Sequence, residues 1–197
     1  MYIPNLLLNR RSVLMSMYGL SYFMTENREN TVLSRNDDKL YFYGSLTDES
    51  CFKLGYLLEE MINDNNEINL YLQTAGGSIL PTLPLVDLIK NSPIPINTYV
   101  RGYCASAGTL LSVVGKKRYM TNHSLLLIHS LRQEGTGGNF HDIKDIYDNA
   151  NTIMDIIKDI YLENTKIPKS LLEYYLEHDL WLPSKTCLKY NIIDEIN

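Results

Sequence analysis

The spacing of apolar positions changes period along the chain, and each change marks an element. Lys39-Leu40-Tyr41-Phe42-Tyr43 is a β-prone run stopped by Gly44. Beyond Thr47, a suitable helix cap, Phe52, Leu54, Leu57, Leu58, Met61 and Ile62 recur at mostly helical spacing until Asp64-Asn65-Asn66 interrupts them. Ile68 to Leu72 predicts a strand, Leu83 to Ile89 a helix closed off by Pro93 and Pro95, and Ile96 to Val100 a further strand. The repeating unit is strand, glycine turn, helix, so an α/β domain is expected, with its site at the C-terminal ends of the strands. From Asp142 onward Ile143, Ile146, Tyr147, Ala150, Ile153, Met154, Ile157, Ile160 and Tyr161 fall three and four residues apart over roughly five turns. One long amphipathic helix follows, with a stripe long enough to need a broad partner surface. Thr25 to Asp38 is polar and charged and reads as a linker or loose arm.

Composition narrows the class. A chain of 197 residues suffices for one domain with a substantial core. Its net charge of −5, with no basic cluster larger than Lys116-Lys117-Arg118, gives no nucleic-acid surface. Cys51, Cys104 and Cys187 are widely spaced, which argues against a disulfide framework or a zinc site and for a reducing compartment. No apolar run approaches the ~20 residues of a membrane span, so no membrane association is expected. Met1 to Thr25 has no acidic residue and contains Arg10 and Arg11. It reads as an arm of a cytoplasmic protein, with a plastid or mitochondrial targeting segment as the alternative.

The candidate chemistry lies in Gly102-Tyr103-Cys104-Ala105-Ser106-Ala107-Gly108 and in the apolar run that ends at His129. A serine hydroxyl is a poor nucleophile until an imidazole accepts its proton, so Ser106 and His129 supply the minimum for acyl transfer. Ser106 leads into Ala107-Gly108-Thr109-Leu110-Leu111, read as the start of a buried helix whose first amides lack internal partners. Gly76 and Gly77 give a second place where backbone can approach a substrate. Gly135-Thr136-Gly137-Gly138, close to His129, could pair with an extended peptide by strand addition. Cys104 suits a small buried side chain better than a rival thiol nucleophile, which would need an electropositive, accessible setting. His178 adjoins Asp179, but neighbours on an extended chain point to opposite sides. His123 and His141 sit in polar turn contexts, and Asp194 ends an apolar run and is a rival carboxylate.

Thr74-Ala75-Gly76-Gly77-Ser78, the Gly102 to Gly108 segment, Leu127-Ile128-His129, and Asp179 with Ser184 and Tyr190-Asn191-Ile192-Ile193-Asp194 stand in an order and spacing that resembles the ClpP family, the proteolytic subunit of the Clp protease. The resemblance covers roughly Lys39 to Asn197 and implies a ClpP/crotonase-like spiral of ββα units with a long protruding handle helix. Residues 38–197 would be the protease domain and 1–37 a divergent N-terminal arm. It further implies Ser106 as nucleophile, His129 as general base, Asp179 as the orienting carboxylate and the amides of Gly77 and Ala107 as the oxyanion hole. Gly76, Gly135, Thr136, Gly137 and Gly138 would bind substrate. The implied setting is a homo-oligomer of stacked heptameric rings, fed unfolded polypeptide by a Clp-type AAA+ ATPase. The chain itself would take no cofactor and no metal, with ATP used by the partner. Tyr71 matches a position in the surface that receives the ATPase. Departures are Ala75 for the usual Pro, Ser130-Leu131 for Gln-Pro, Leu180 for an Arg that pairs across rings, and the first 37 residues. A non-catalytic ring subunit, a phage-type maturation protease and a crotonase-type acyl-CoA enzyme are the other readings.

Overall fold

The computed structural model describes residues 31–132 and 137–197. Fourteen elements follow in order: β1 (Val32–Asn36), β2 (Lys39–Leu46), α1 (Asp48–Asp64), β3 (Ile68–Gly77), α2 (Leu83–Lys90), β4 (Ile96–Ala105), α3 (Ala107–Val113), β5 (Arg118–Met120), β6 (Leu125–Ile128), α4 (Phe140–Asn164), α5 (Lys169–Leu176), β7 (Leu180–Pro183), α6 (Ser184–Lys189) and β8 (Glu195–Ile196). The strands form one sheet in the order β1-β2-β3-β4-β5-β8, parallel from β2 onward, with helices between them. This is the α/β class expected from the alternation of strand and helix.

The sheet forks at β4. Thr98 to Val100 pair with β5, whereas Tyr103 to Ala105 pair with β6, and β6 then pairs antiparallel with β7. Ser124 Oγ anchors the fork by accepting a 2.8 Å bond from the Gly102 amide. The strand that carries Ser106 therefore gains a second neighbour, the strand that leads into His129.

Local chemistry sets the ends of the helices. Thr47 caps α1 in a reciprocal box with Ser50: Thr47 Oγ1 accepts from the Ser50 amide at 3.2 Å and Ser50 Oγ from the Thr47 amide at 2.9 Å. Asn139 and Asp142 build the same box on α4, which begins it at Phe140, two residues ahead of the apolar period. Among the described residues no helix is long and apolar enough to cross a membrane.

Three sequence readings change. Val32–Asn36, placed in the arm, is an edge strand paired antiparallel with β2; only Leu33 in it is half-buried, so it carries no alternating signature. The strands β3 and β4 run past their apolar stretches to Gly77 and Ala105, because the ladder to neighbouring strands carries small and polar residues along. Phe52, expected in the α1 core, is 74% exposed, and its neighbour Cys51 is buried instead, on the same face as the expected Leu54. Residues 1–30, with the targeting alternative, lie outside the described residues.

Helix α4 is divided along its length. Ile157 and Tyr161 are buried, and Ile153, Met154 and Ile160 pack partly on the core. Phe140, Ile143 and Tyr147, nearer its start, are exposed. The helix thus docks by its C-terminal half and projects by its N-terminal half, as the handle reading expects. Across the sheet, in-register Tyr41, Tyr71, Tyr99 and Tyr119 stack at successive centroid separations of 4.8, 4.6 and 4.5 Å. Arg101 covers the Tyr71 ring.

Candidate active site

Three strand ends converge: β3 finishes at Gly77, β4 at Ala105 and β6 at Ile128. Ser106 occupies the turn between β4 and α3 with φ 55° and ψ −135°. Among the described residues the other non-glycine positions at positive φ are Asp37 and Asn191, types that tolerate that region; a serine there costs on the order of 1–3 kcal/mol. The turn is over-determined. The Ser106 amide donates to the Leu127 carbonyl at 2.9 Å, and its carbonyl accepts from the Thr109 amide at 2.9 Å and Thr109 Oγ1 at 2.6 Å. Thr109 Oγ1 also bonds Tyr161 Oη, which ties α4 to the Ser106 turn.

Glycine geometry makes room for the serine. A Cβ on Gly76, at φ +91°, would stand 2.6 Å from Ser106 Cβ and 2.7 Å from the Ala105 carbonyl oxygen. The Gly76 amide donates to Thr74 Oγ1 at 2.9 Å. Gly76, with its amide engaged, provides the space behind Ser106. Gly108 lets α3 sit tightly on β3, since a Cβ there would meet Thr74 Cγ2 at 2.3 Å.

A cavity of about 310 Å³ opens on Ser106, with Gly77, Ala107, His129 and Arg132 in its walls and Leu110 and Ile157 also lining it. Ala107 begins α3, so its amide has no intrahelical carbonyl. The residues expected to supply nucleophile, base and both oxyanion amides therefore line one cavity. Gly137 and Gly138 are exposed at the entry to α4, and a Cβ on Gly137 would meet nothing within 4 Å. Gly135 and Thr136 lie outside the described residues.

His129 is half-buried, and its Nδ1 donates to the Ser130 carbonyl at 2.6 Å. A carbonyl only accepts, so the proton sits on Nδ1 and a neutral ring keeps its lone pair on Nε2, the tautomer a general base needs. Burial holds the imidazole below its ordinary range; the Ser130 carbonyl pulls it up, Arg132 pushes it down and Asp179 pulls it up. Asp179 is exposed and bonds Arg132. Neither hydrogen bond of an aligned triad is thus among those formed between the described residues, although all three side chains lie at one end of the sheet. Arg132 had no signal in the sequence: an isolated charge after His129 carries no periodicity.

The family model for Clp protease matches residues 36–197. The chain belongs to the Clp protease family. Among its relatives, the ATP-dependent Clp protease proteolytic subunit of Deinococcus radiodurans is 28% identical over 71% of this chain and 69% of its own length. Subunit 1 of Chlamydia caviae is 29% identical over 80% of this chain and 85% of its own. Subunit 2 of Thermobifida fusca is 27% identical over 80% of each.

In this Clp protease chain the rival groups stand apart from the cavity chemistry. Asp194 lies in a separate cleft with Arg118, whose Nε and backbone amide both donate to Asp194 Oδ2 at 2.9 Å and whose Nη2 donates to Oδ1 at 2.6 Å. Cys104 is buried, which pushes its thiol up to about 12 and leaves too little thiolate for a nucleophile. His178 stacks on Tyr174 and bonds its carbonyl at 2.6 Å, while His123 and His141 are exposed. Among the described residues no three His, Cys, Asp or Glu side chains cluster to hold a metal.

Proposed function

We propose that this chain is a serine endopeptidase and the proteolytic subunit of a Clp-type machine. The observation that carries the reading is the shared cavity: Ser106 in its strained turn and His129 in the base tautomer, beside Gly77 and Ala107. Ser106 Oγ attacks the scissile carbonyl while His129 Nε2 takes its proton, and the Gly77 and Ala107 amides receive the oxyanion. Collapse breaks the C–N bond as His129 returns the proton to the leaving amine. Water, deprotonated by the same imidazole, then releases the acyl group from Ser106. Asp179 is the carboxylate that orients the ring in the reacting state. The chain works in an oligomeric chamber of stacked rings, supported by the exposed apolar half of α4, and takes unfolded polypeptide from a Clp-type ATPase. A reducing setting, cytoplasmic or within an organelle, fits its three buried free cysteines.

A second reading, a ring subunit that supports an active partner, draws on the engagement of Asp179 by Arg132. One experiment separates the two. The purified chain is treated with a fluorophosphonate, and labelling is located by peptide mapping beside hydrolysis of a fluorogenic peptide. Labelling at Ser106, absent in Ser106→Ala with unchanged circular dichroism, is the result expected. An unlabelled wild-type chain without hydrolysis favours the supporting subunit.

A further inference from the structure

We propose that Arg132 is a positioning residue that holds Asp179 off the His129 imidazole, so that the site rests in a state oriented by the Ser130 carbonyl and reaches a faster, Asp179-oriented state when the Arg132–Asp179 pair opens. This rests on the peptidase reading of Ser106 and His129.

Ile128 and Leu180 are paired in the β6–β7 ladder, so the chain directs His129 and Asp179 out of the sheet as neighbours. The one proton on His129 Nδ1 can go to the Ser130 carbonyl or to the Asp179 carboxylate. A charged acceptor makes the stronger bond, yet the proton goes to the carbonyl at 2.6 Å. What occupies the carboxylate is the Arg132 guanidinium, three residues beyond His129 and in the wall of the same cavity. The two charges that act on His129 from the described elements are therefore this cation and this carboxylate, and they act in opposite directions.

The strength of the pair suits a switch. The Arg132 and Asp179 side chains are 60% and 52% exposed, and an ion pair so wetted shifts an equilibrium only a few-fold. Both states are then within reach of ordinary changes in contact or salt. Hydrolysis builds positive charge on the imidazole, which a free Asp179 stabilises and a nearby guanidinium opposes. Opening the pair should act on the chemical step and leave peptide binding alone.

The test uses the full chain in its native assembly, with Arg132→Gln and Arg132→Lys. Arg132→Gln should raise kcat on a fluorogenic peptide about two- to five-fold, the scale of an exposed ion pair, with KM unchanged. It should move the acid limb of the pH profile upward, because a cation is removed and a carboxylate freed. Arg132→Lys should restore wild-type behaviour, and adding Asp179→Asn to Arg132→Gln should cancel the gain. Wild-type kcat should increase with ionic strength, and that of Arg132→Gln should not. Equal kcat and an equal acid limb in wild type and Arg132→Gln would overturn the proposal. An independent reading comes from the His129 ring titration by NMR in Ser106→Ala, with and without Arg132→Gln. An upward move supports the switch, and identical curves refute it. Failure of Ser106 to label would count against the peptidase reading alone, and the ring titration would still decide the role of Arg132.

Discussion

Ile128 and Leu180 face each other at the end of the antiparallel β6–β7 ladder, so His129 and Asp179 leave it as adjacent residues. Their side chains nevertheless bond elsewhere, to Ser130 and Arg132. Backbone pairing brings an imidazole and a carboxylate together; the side-chain partners decide whether they bond to each other.

Activity should follow the neutral form of His129. Burial depresses its protonation below the ordinary imidazole value of about 6.5. Hydrolysis should therefore rise as pH increases through a midpoint below that value and be flat above it. The kcat/KM profile of the free enzyme checks this, and a midpoint above the ordinary value would contradict the desolvated setting.

Gly76→Ala should disable the site without touching a reactive atom. Its Cβ would stand 2.6 Å from Ser106 Cβ, at a φ that L residues rarely adopt, so Ser106 must move. A displacement of about 1 Å at a nucleophile can cost on the order of 100-fold in rate. Fluorophosphonate labelling should fall by that order; labelling at the wild-type rate would show that the close approach is unimportant.

Asp194→Asn tests the rival carboxylate. Burial alone would raise the Asp194 carboxyl, but the Arg118 hydrogen bonds and charge outweigh it and hold it below the usual range. A depressed carboxyl stabilises the fold above its unfolded value and loses that contribution as pH falls through its folded value. The variant should be less stable at neutral pH by about 1–3 kcal/mol, short of a fully buried pair because Asp194 is partly wet. Thermal melts should show the deficit shrinking in acid, with Ser106 labelling retained. Loss of labelling in a fully folded variant would return Asp194 to the catalytic set.

Assembly should respond to different α4 positions in different ways. Tyr147 is 67% exposed, so Tyr147→Glu places a charge on whatever surface covers the helix and should dissociate the oligomer with the subunit fold intact. Ile157→Ala opens a gap in the subunit core and should cost about 2–5 kcal/mol of unfolding free energy instead. Light scattering beside thermal melts separates the outcomes, and a monomeric wild-type chain with full activity would refute the chamber.

The sequence by itself determined the α/β alternation, the Thr47 cap, the long amphipathic helix and the family, because hydrophobic period and capping chemistry are local and motif spacing survives in one dimension. It also supplied Ser106 and His129, each marked by its own flanking pattern. Only the tertiary structure showed that β4 divides its edge between β5 and β6 and so puts these residues in one cavity. Only it turned Val32–Asn36 into a strand, since an edge is held by backbone bonds that need no apolar alternation. The split of α4 into a packed and a projecting half depends on where the core stops, which its uniform stripe does not record. Arg132 is the sharpest case. A lone charge is silent in sequence, and its effect on Asp179 exists because pairing of β6 with β7 brings residues far apart in the chain to the same end of the sheet.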